Sequence, residues 1–224
     1  MSILSNLELI RRVPLFSMLT ASQAESVAAA VVKRRFKRGE AIVEQNKKSN
    51  ALFILLTGRA RVVTTDNRGR EVILAILHPG DYLGEMSLID NQPHSATVFT
   101  EVQTDVLMLE RGEFARCLPE NTSMAYAVMK GLVQRLRHAD RKIESLALMD
   151  VYGRVARCLL DAAKPNELGD LTIREKVSRQ DLAKMVGASR EMVSRVMKDL
   201  ELRGYIETQA DGSLLMREPL SALG

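Results

Sequence analysis

Residues 178–203, SRQDLAKMVGASREMVSRVMKDLELR, constrain the fold more than any other stretch of the 224-residue chain. They predict two short helices broken by a tight turn at Gly187, Ala188 and Ser189. Ala183 is small enough to let the second helix cross the first, and Val193 and Val196 point back to hold the pair. At about 100° per residue, Arg190, Glu191, Ser194, Arg195 and Lys198 fall within one arc of roughly 140°. Met192, Val193, Val196 and Leu200 take the opposite, packing side. Ser189 stands where an N-cap belongs, and Ser178 and Asp181 have capping-box-like spacing. An ordinary amphipathic hairpin shares the periodicity, but does not require cap, turn glycine, small residue and paired valines at these offsets. The pattern predicts a DNA-binding helix-turn-helix whose second helix carries Arg190, Glu191 and Arg195 to base edges.

Residues 204–216 predict a winged form. Gly204 ends the second helix, and Tyr205–Thr208 and Ser213–Met216 read as strands around the Asp211-Gly212 turn. Net charge is +4, which fits a nucleic-acid partner without requiring one. From Arg174 to Arg203 there are eight Lys/Arg and five Asp/Glu, so the motif is mildly basic and phosphate contacts should be moderate in number. Cys117 and Cys158 are the only cysteines, and a reduced, buried pair is expected. No cysteine or histidine cluster has metal-ligand spacing, so no metal site is expected. No phosphate loop of the G-x-x-x-x-G-K type or Ser/His/Asp arrangement is present, so no catalytic residues are expected and the chain is not read as an enzyme. His78, His94 and His138 are not paired in a way that suggests haem ligation. No apolar run approaches membrane length and no leader is evident, so a cytoplasmic protein with no membrane partner is expected.

The rest of the chain divides into an N-terminal part and a long helix. Leu4, Leu7 and Ile10, then Val13, Leu15, Phe16 and Leu19, predict short helical pieces interrupted at Pro14, with a further helix from Thr20. From Val31 to Leu109, apolar runs such as ALFILL, RARVVTT, EVILAIL, SATVFTEV and TDVLML alternate with glycine-centred turns. Strands so short and regular imply a small antiparallel barrel or roll. Helix returns at Arg111–Leu118, then runs long from Asn121 to Leu148. Its seam, Val128, Leu132, Leu136, Ala139, Ile143 and Leu146, is heptad-like and flanked by Arg135, Arg137, Arg141 and Lys142. That seam suits either packing on its own domain or a two-helix coiled coil between subunits, and the need to read two half-sites favours the second. Residues 150–153 read as a hinge. The expected fold is α+β: a β-roll domain over residues 1–118, a dimerisation helix and hinge over 119–149, and a winged helix-turn-helix over 150–224.

The roll carries a second candidate site within PGDYLGEMSLIDNQPHSATV. Gly84 permits close backbone approach. Glu85 offers a carboxylate to a ribose hydroxyl, and Ser95 with the amide of Ala96 can cradle a phosphate after a short turn.

The order of these parts, with PGDYLGEMSL, HSATV, LMDVYGRVARCLL and SRQDLAKMVGASREMVSR, resembles the cyclic-AMP receptor protein and fumarate-nitrate regulator family from about Leu15 to Met216. The resemblance implies a homodimeric transcription regulator that is switched by a small effector and partners double-stranded DNA and RNA polymerase. It implies Arg190, Glu191 and Arg195 as base readers with Ser194 on the same face, and Ser178, Arg179, Gln180 and Ser189 near phosphates. The helix start Ser-Arg-Glu-x-x-x-x-Arg is similar to the branch whose half-site is TGTGA. The implied effector set is Gly84, Glu85, Met86, Ser87, His94, Ser95 and Ala96, with Asp140 from the long helix. Two positions depart from the family. His94 stands where an arginine usually meets the cyclic phosphate; it either takes that role or simply ends a turn. Ala139-Asp140 replaces a Thr-Ser pair that contacts adenine. Asp140 either accepts from guanine N1–H and N2–H2 or is a solvated helix charge. Cyclic AMP binding is expected to be weakened, leaving cyclic AMP, cyclic GMP and cyclic di-GMP as candidate effectors. A regulator independent of any effector, with the roll as a dimer scaffold, is the alternative. The family's polymerase-contacting loop maps near residues 164–169.

Overall fold

The computed structural model describes residues 5–11, 13–16, 19–117, 122–174 and 177–217. The chain forms two compact units, Met1–Leu136 and Arg137–Gly224, whose boundary falls inside the long helix. The expected start of the apolar pattern at Leu4, the predicted helix ends at Leu118 and Asn121, and the side chain of Cys117 lie outside the described residues.

In the first unit, α1 (Asn6–Arg11) and α2 (Ala21–Ala30) precede β1 (Val32–Phe36), β2 (Ala41–Val43), β3 (Ala51–Thr57), β4 (Ala60–Thr65), β5 (Glu71–Leu77) and β6 (Tyr82–Leu83). Then come α3 (Glu85–Asp90), β7 (Thr97–Thr100), β8 (Thr104–Glu110), α4 (Arg111–Cys117) and α5 (Thr122–Leu148). Two four-stranded antiparallel sheets result, ordered β1-β8-β3-β6 and β2-β7-β4-β5. Strand β3 shows why the roll closes. Its first five residues are all buried, as expected of a strand covered on both faces. Leu52 and Ile54 pack with Leu107, Leu109 and the helical residues Ile10, Val27, Phe114 and Val128. Ala51, Phe53 and Leu55 face the other way, into a core with Ile42, Val43, Leu83, Val98 and Val106. One period-two strand thus feeds both the core between the sheets and the core beneath the helices.

The second unit begins with the C-terminal part of α5. Next are α6 (Val151–Ala162), β9 (Lys164–Pro165), β10 (Leu171–Ile173), α7 (Arg179–Val186), α8 (Arg190–Leu202), β11 (Ile206–Thr208) and β12 (Leu214–Met216). The strands form one antiparallel sheet, ordered β11-β12-β10-β9. Val155, Leu159, Leu182, Val186, Val193, Met197, Leu200, Ile206 and Leu214 fill a single core. The fold is the α+β arrangement expected: β-roll, long helix, winged helix-turn-helix.

Three local expectations change. Met192 is 43% exposed whereas Met197 is fully buried. The packing stripe is Val193, Val196, Met197 and Leu200, at steps of three, one and three, and Met192 lies about 100° away from Val193. Residues 151–153 are the first turn of a helix rather than a linker: Asp150 caps α6, its Oδ1 accepting from the Gly153 amide at 2.8 Å, and Met149 and Asp150 alone separate the helices. The seam of α5 splits as well. Val128 is buried in its own unit's core and Leu132 packs against that core, whereas Leu136, Ile143 and Leu146 are exposed.

Candidate functional site

The reading helix is set by its caps. Ser178 Oγ accepts from the Asp181 amide at 3.0 Å and donates to its carboxylate at 2.7 Å, starting α7. Gly187 ends α7 at φ 64°, ψ 46°, a left-handed conformation that favours glycine. Two residues later Ser189 Oγ accepts from the Met192 amide at 3.2 Å and starts α8. With one stripe of α8 in the core, Arg190, Glu191, Ser194, Arg195 and Lys198 are all exposed. Among the described residues no ion pair holds Arg190, Arg195 or Lys198, so these cations are available to a ligand. Ser194 donates to the Arg190 carbonyl at 2.8 Å, which leaves its oxygen as an acceptor. The Glu191 carboxyl is held below the usual range by its own backbone amide and then by Ser189, so it stays an acceptor at neutral pH.

The remaining expected DNA contacts are placed differently from one another. Gln180 and Ser189 are exposed. Arg179 reaches Glu201 at 3.5 Å, and Glu201 also accepts from Thr208 at 2.9 Å, tying α7, α8 and the first wing strand together. At the wing tip Asp211 accepts from the Ser213 amide at 2.9 Å and Gly212 has φ 85°.

In the roll, Gly84 adopts φ 93°, and a Cβ there would stand 2.6 Å from the Ala51 carbonyl oxygen, so only glycine fits. This turn places Glu85 at the start of α3, 1% exposed. Helix α3 carries no signal in the sequence, since six residues are too few to show a period. Arg135 donates to Glu85 Oε1 at 2.5 Å and to the Tyr82 carbonyl, with its guanidinium 5.0 Å from the Tyr82 ring centre. Burial raises the Glu85 carboxyl, and Arg135 opposes that shift. Glu85 Oε2 is buried without a partner among the described residues. An unmet acceptor of this kind fits a hydroxyl-bearing ligand.

The other expected effector residues do not all converge. Met86 is exposed, while Ser87 is buried and donates to the Gln92 carbonyl at 2.5 Å. His94 is 8% exposed with Nε2 2.8 Å from Ser49 Oγ, and burial lowers its pKa, favouring the neutral ring. It lines a pocket of about 160 Å³ with Ala41, Ile42, Val43, Glu44, Lys47, Lys48 and Ser49, a lining that contains neither Glu85 nor Ser95. Ser95 is exposed and Ala96 buried. Asp140 is exposed on α5 within the second unit. Two residues of these sites, Arg135 and Ser49, are not among those expected from sequence. Arg135 has a signal: it follows Val128 and Leu132 by steps that keep it on the inward face of α5. Ser49 has none.

These features define a protein with a β-roll that holds a buried carboxylate and a winged helix-turn-helix with an exposed polar helix face. Residues 33–121 match the cyclic nucleotide-binding domain, and residues 153–223 match the Crp-like helix-turn-helix domain. The chain is 32% identical to the cAMP-activated global transcriptional regulator Vfr of Pseudomonas aeruginosa, over 79% of this chain and 86% of that one. It is 31% identical to the cyclic AMP receptor protein of Thermus thermophilus, over 92% and 93%. The solved structure of the c-di-GMP-responsive global regulator CLP of Xanthomonas campestris matches with a TM-score of 0.76 at 25% identity, covering 89% of this chain and all of that one. The chain belongs to the cyclic-AMP receptor protein and fumarate-nitrate regulator family of DNA-binding transcription regulators. No helix among the described residues is long and apolar enough to cross a membrane.

Proposed function

We propose that this protein is a homodimeric regulator that reads TGTGA-like palindromes through α8 and is controlled by a cyclic nucleotide or dinucleotide bound at Glu85. The observation that carries the reading is the exposed Arg190–Glu191–Arg195 arc on a helix capped at Ser189. An arginine can bind guanine O6 and N7 bidentately, and a carboxylate can accept from cytosine N4, each pairing contributing about 1–3 kcal/mol of discrimination. Ser178, Gln180 and Ser189, at the starts of α7 and α8, are the proposed phosphate contacts, whereas Arg179 must first leave Glu201.

A second copy of the chain is the proposed occupant of the exposed stripe Met129, Val133, Leu136 and Ile143 on α5. Steps of four, three and seven place these residues, with Asp140 between the last two, at heptad positions. The effector is proposed to meet Gly84, Glu85, Ser95 and Ala96 in the roll; Asp140 is proposed separately as an acceptor suited to a base that offers two donors. Relatives include both cAMP-activated and c-di-GMP-responsive regulators. His94, buried against Ser49, stands where an arginine is expected, and its burial disfavours the charge that a single cyclic phosphate would use, which weighs against simple cyclic AMP binding.

The test is a mobility-shift titration on a TGTGA-N6-TCACA duplex with cyclic AMP, cyclic GMP and cyclic di-GMP. A shift strengthened by a guanine nucleotide more than by cyclic AMP is expected. Identical operator affinity with and without all three would mean that the roll is only a scaffold.

A further inference from the structure

Glycine weakens the interior of a helix, yet Gly131 lies well inside α5. What faces it explains the choice. A methyl group at this position would overlap the Tyr82 hydroxyl oxygen and stand 2.9 Å from the ring carbon that bears it. The hydroxyl occupies the notch left by the missing side chain and donates to the Val128 carbonyl at 3.3 Å. The same ring lies under the Arg135 guanidinium, which donates to Glu85. Gly131, Tyr82, Arg135 and Glu85 therefore form an unbroken series of contacts from the helix backbone to the buried carboxylate.

We propose that Gly131 is a positioning residue: its notch seats Tyr82 against α5, Tyr82 fixes Arg135 over Glu85, and a ligand on Glu85 is sensed by α5 through this seat. The second half rests on the proposed effector site. A donor arriving at Glu85 Oε2 alters the pull on Arg135. With the Tyr82 ring locked in the notch, Arg135 cannot absorb that change by swinging aside, so the helix responds.

The test compares full-length wild type, Gly131→Ala, Tyr82→Phe and the double variant by hydrogen exchange over residues 82–90 and 128–136. Gly131→Ala should speed exchange in both segments by about tenfold or more. Tyr82→Phe loses one hydrogen bond and should change exchange about twofold. The double variant loses the overlapping oxygen but keeps the ring carbon 2.9 Å from the added methyl, so its exchange should fall between those of Gly131→Ala and Tyr82→Phe. Wild-type exchange in Gly131→Ala, or a double variant as fast as Gly131→Ala, overturns the positioning role. In parallel, operator affinity is measured with and without cyclic AMP and cyclic di-GMP. Gly131→Ala should shrink the wild-type response, and the double variant should restore part of it. An undiminished response in Gly131→Ala overturns transmission through the notch. A wild type that binds neither nucleotide overturns the effector reading and transmission with it, and the exchange data then decide positioning alone.

Discussion

At the scale of single residues, burial sets the chemistry of His94 and Cys158. The folded His94 ring binds protons less readily than an unfolded histidine because burial disfavours its charge. Its contribution to stability is therefore present above the usual histidine pKa and is lost on acidification below about 6.5. His94→Gln keeps a polar partner for Ser49 but cannot titrate. Its denaturation midpoint should fall less than that of wild type between pH 7.5 and 5.5, and equal falls would contradict this. Burial pushes the Cys158 thiol up to about 11. At pH 8 only about one thousandth is thiolate, so in a Cys117→Ser background alkylation should be roughly a hundredfold slower than in denaturant. Equal rates would contradict this. Glu85 was legible because a carboxylate after a turn glycine has an evident use. Its partner Arg135 is fifty residues away, and nothing local joins the two.

Elements show the same division. Caps and turns are local chemistry, so α7, α8 and the wing were readable from Ser178, Gly187, Ser189 and Gly212. Ser189→Ala should cost about 1 kcal/mol of stability, measured by chemical denaturation, through loss of the bond to the Met192 amide. A change under a few tenths would mean that the cap is not needed. Strand β1 was not legible: all but its last residue are exposed and its sequence is VKRRF, because it is an edge strand. Helix α5 was legible as a helix but not as one with two apolar faces, since Val128 and Leu132 meet the roll while Met129, Val133 and Leu136 do not. Leu136→Glu, on the exposed face, should leave the fold intact by circular dichroism and shift the protein towards monomer in sedimentation. An unchanged dimer would mean that the stripe has another purpose.

For the whole molecule, two units with separate cores are joined through one continuous helix. An effector can act on DNA binding only through its differential affinity for the two states of the protein. The class of molecule was readable because each unit carries a compact signature, PGDYLGEMSL in the roll and SRQDLAKMVGASREMVSR in the helix-turn-helix. The proposed effector was not, because the residues proposed to meet it lie far apart in sequence. The most direct test of the central claim is fluorescence anisotropy of a labelled TGTGA palindrome against a random duplex, at two salt concentrations, with wild type and Arg190→Ala. Wild type should prefer the palindrome, and Arg190→Ala should lose about 1–3 kcal/mol of that preference per half-site while keeping weak, salt-sensitive binding. An Arg190→Ala protein that discriminates as well as wild type would contradict the account.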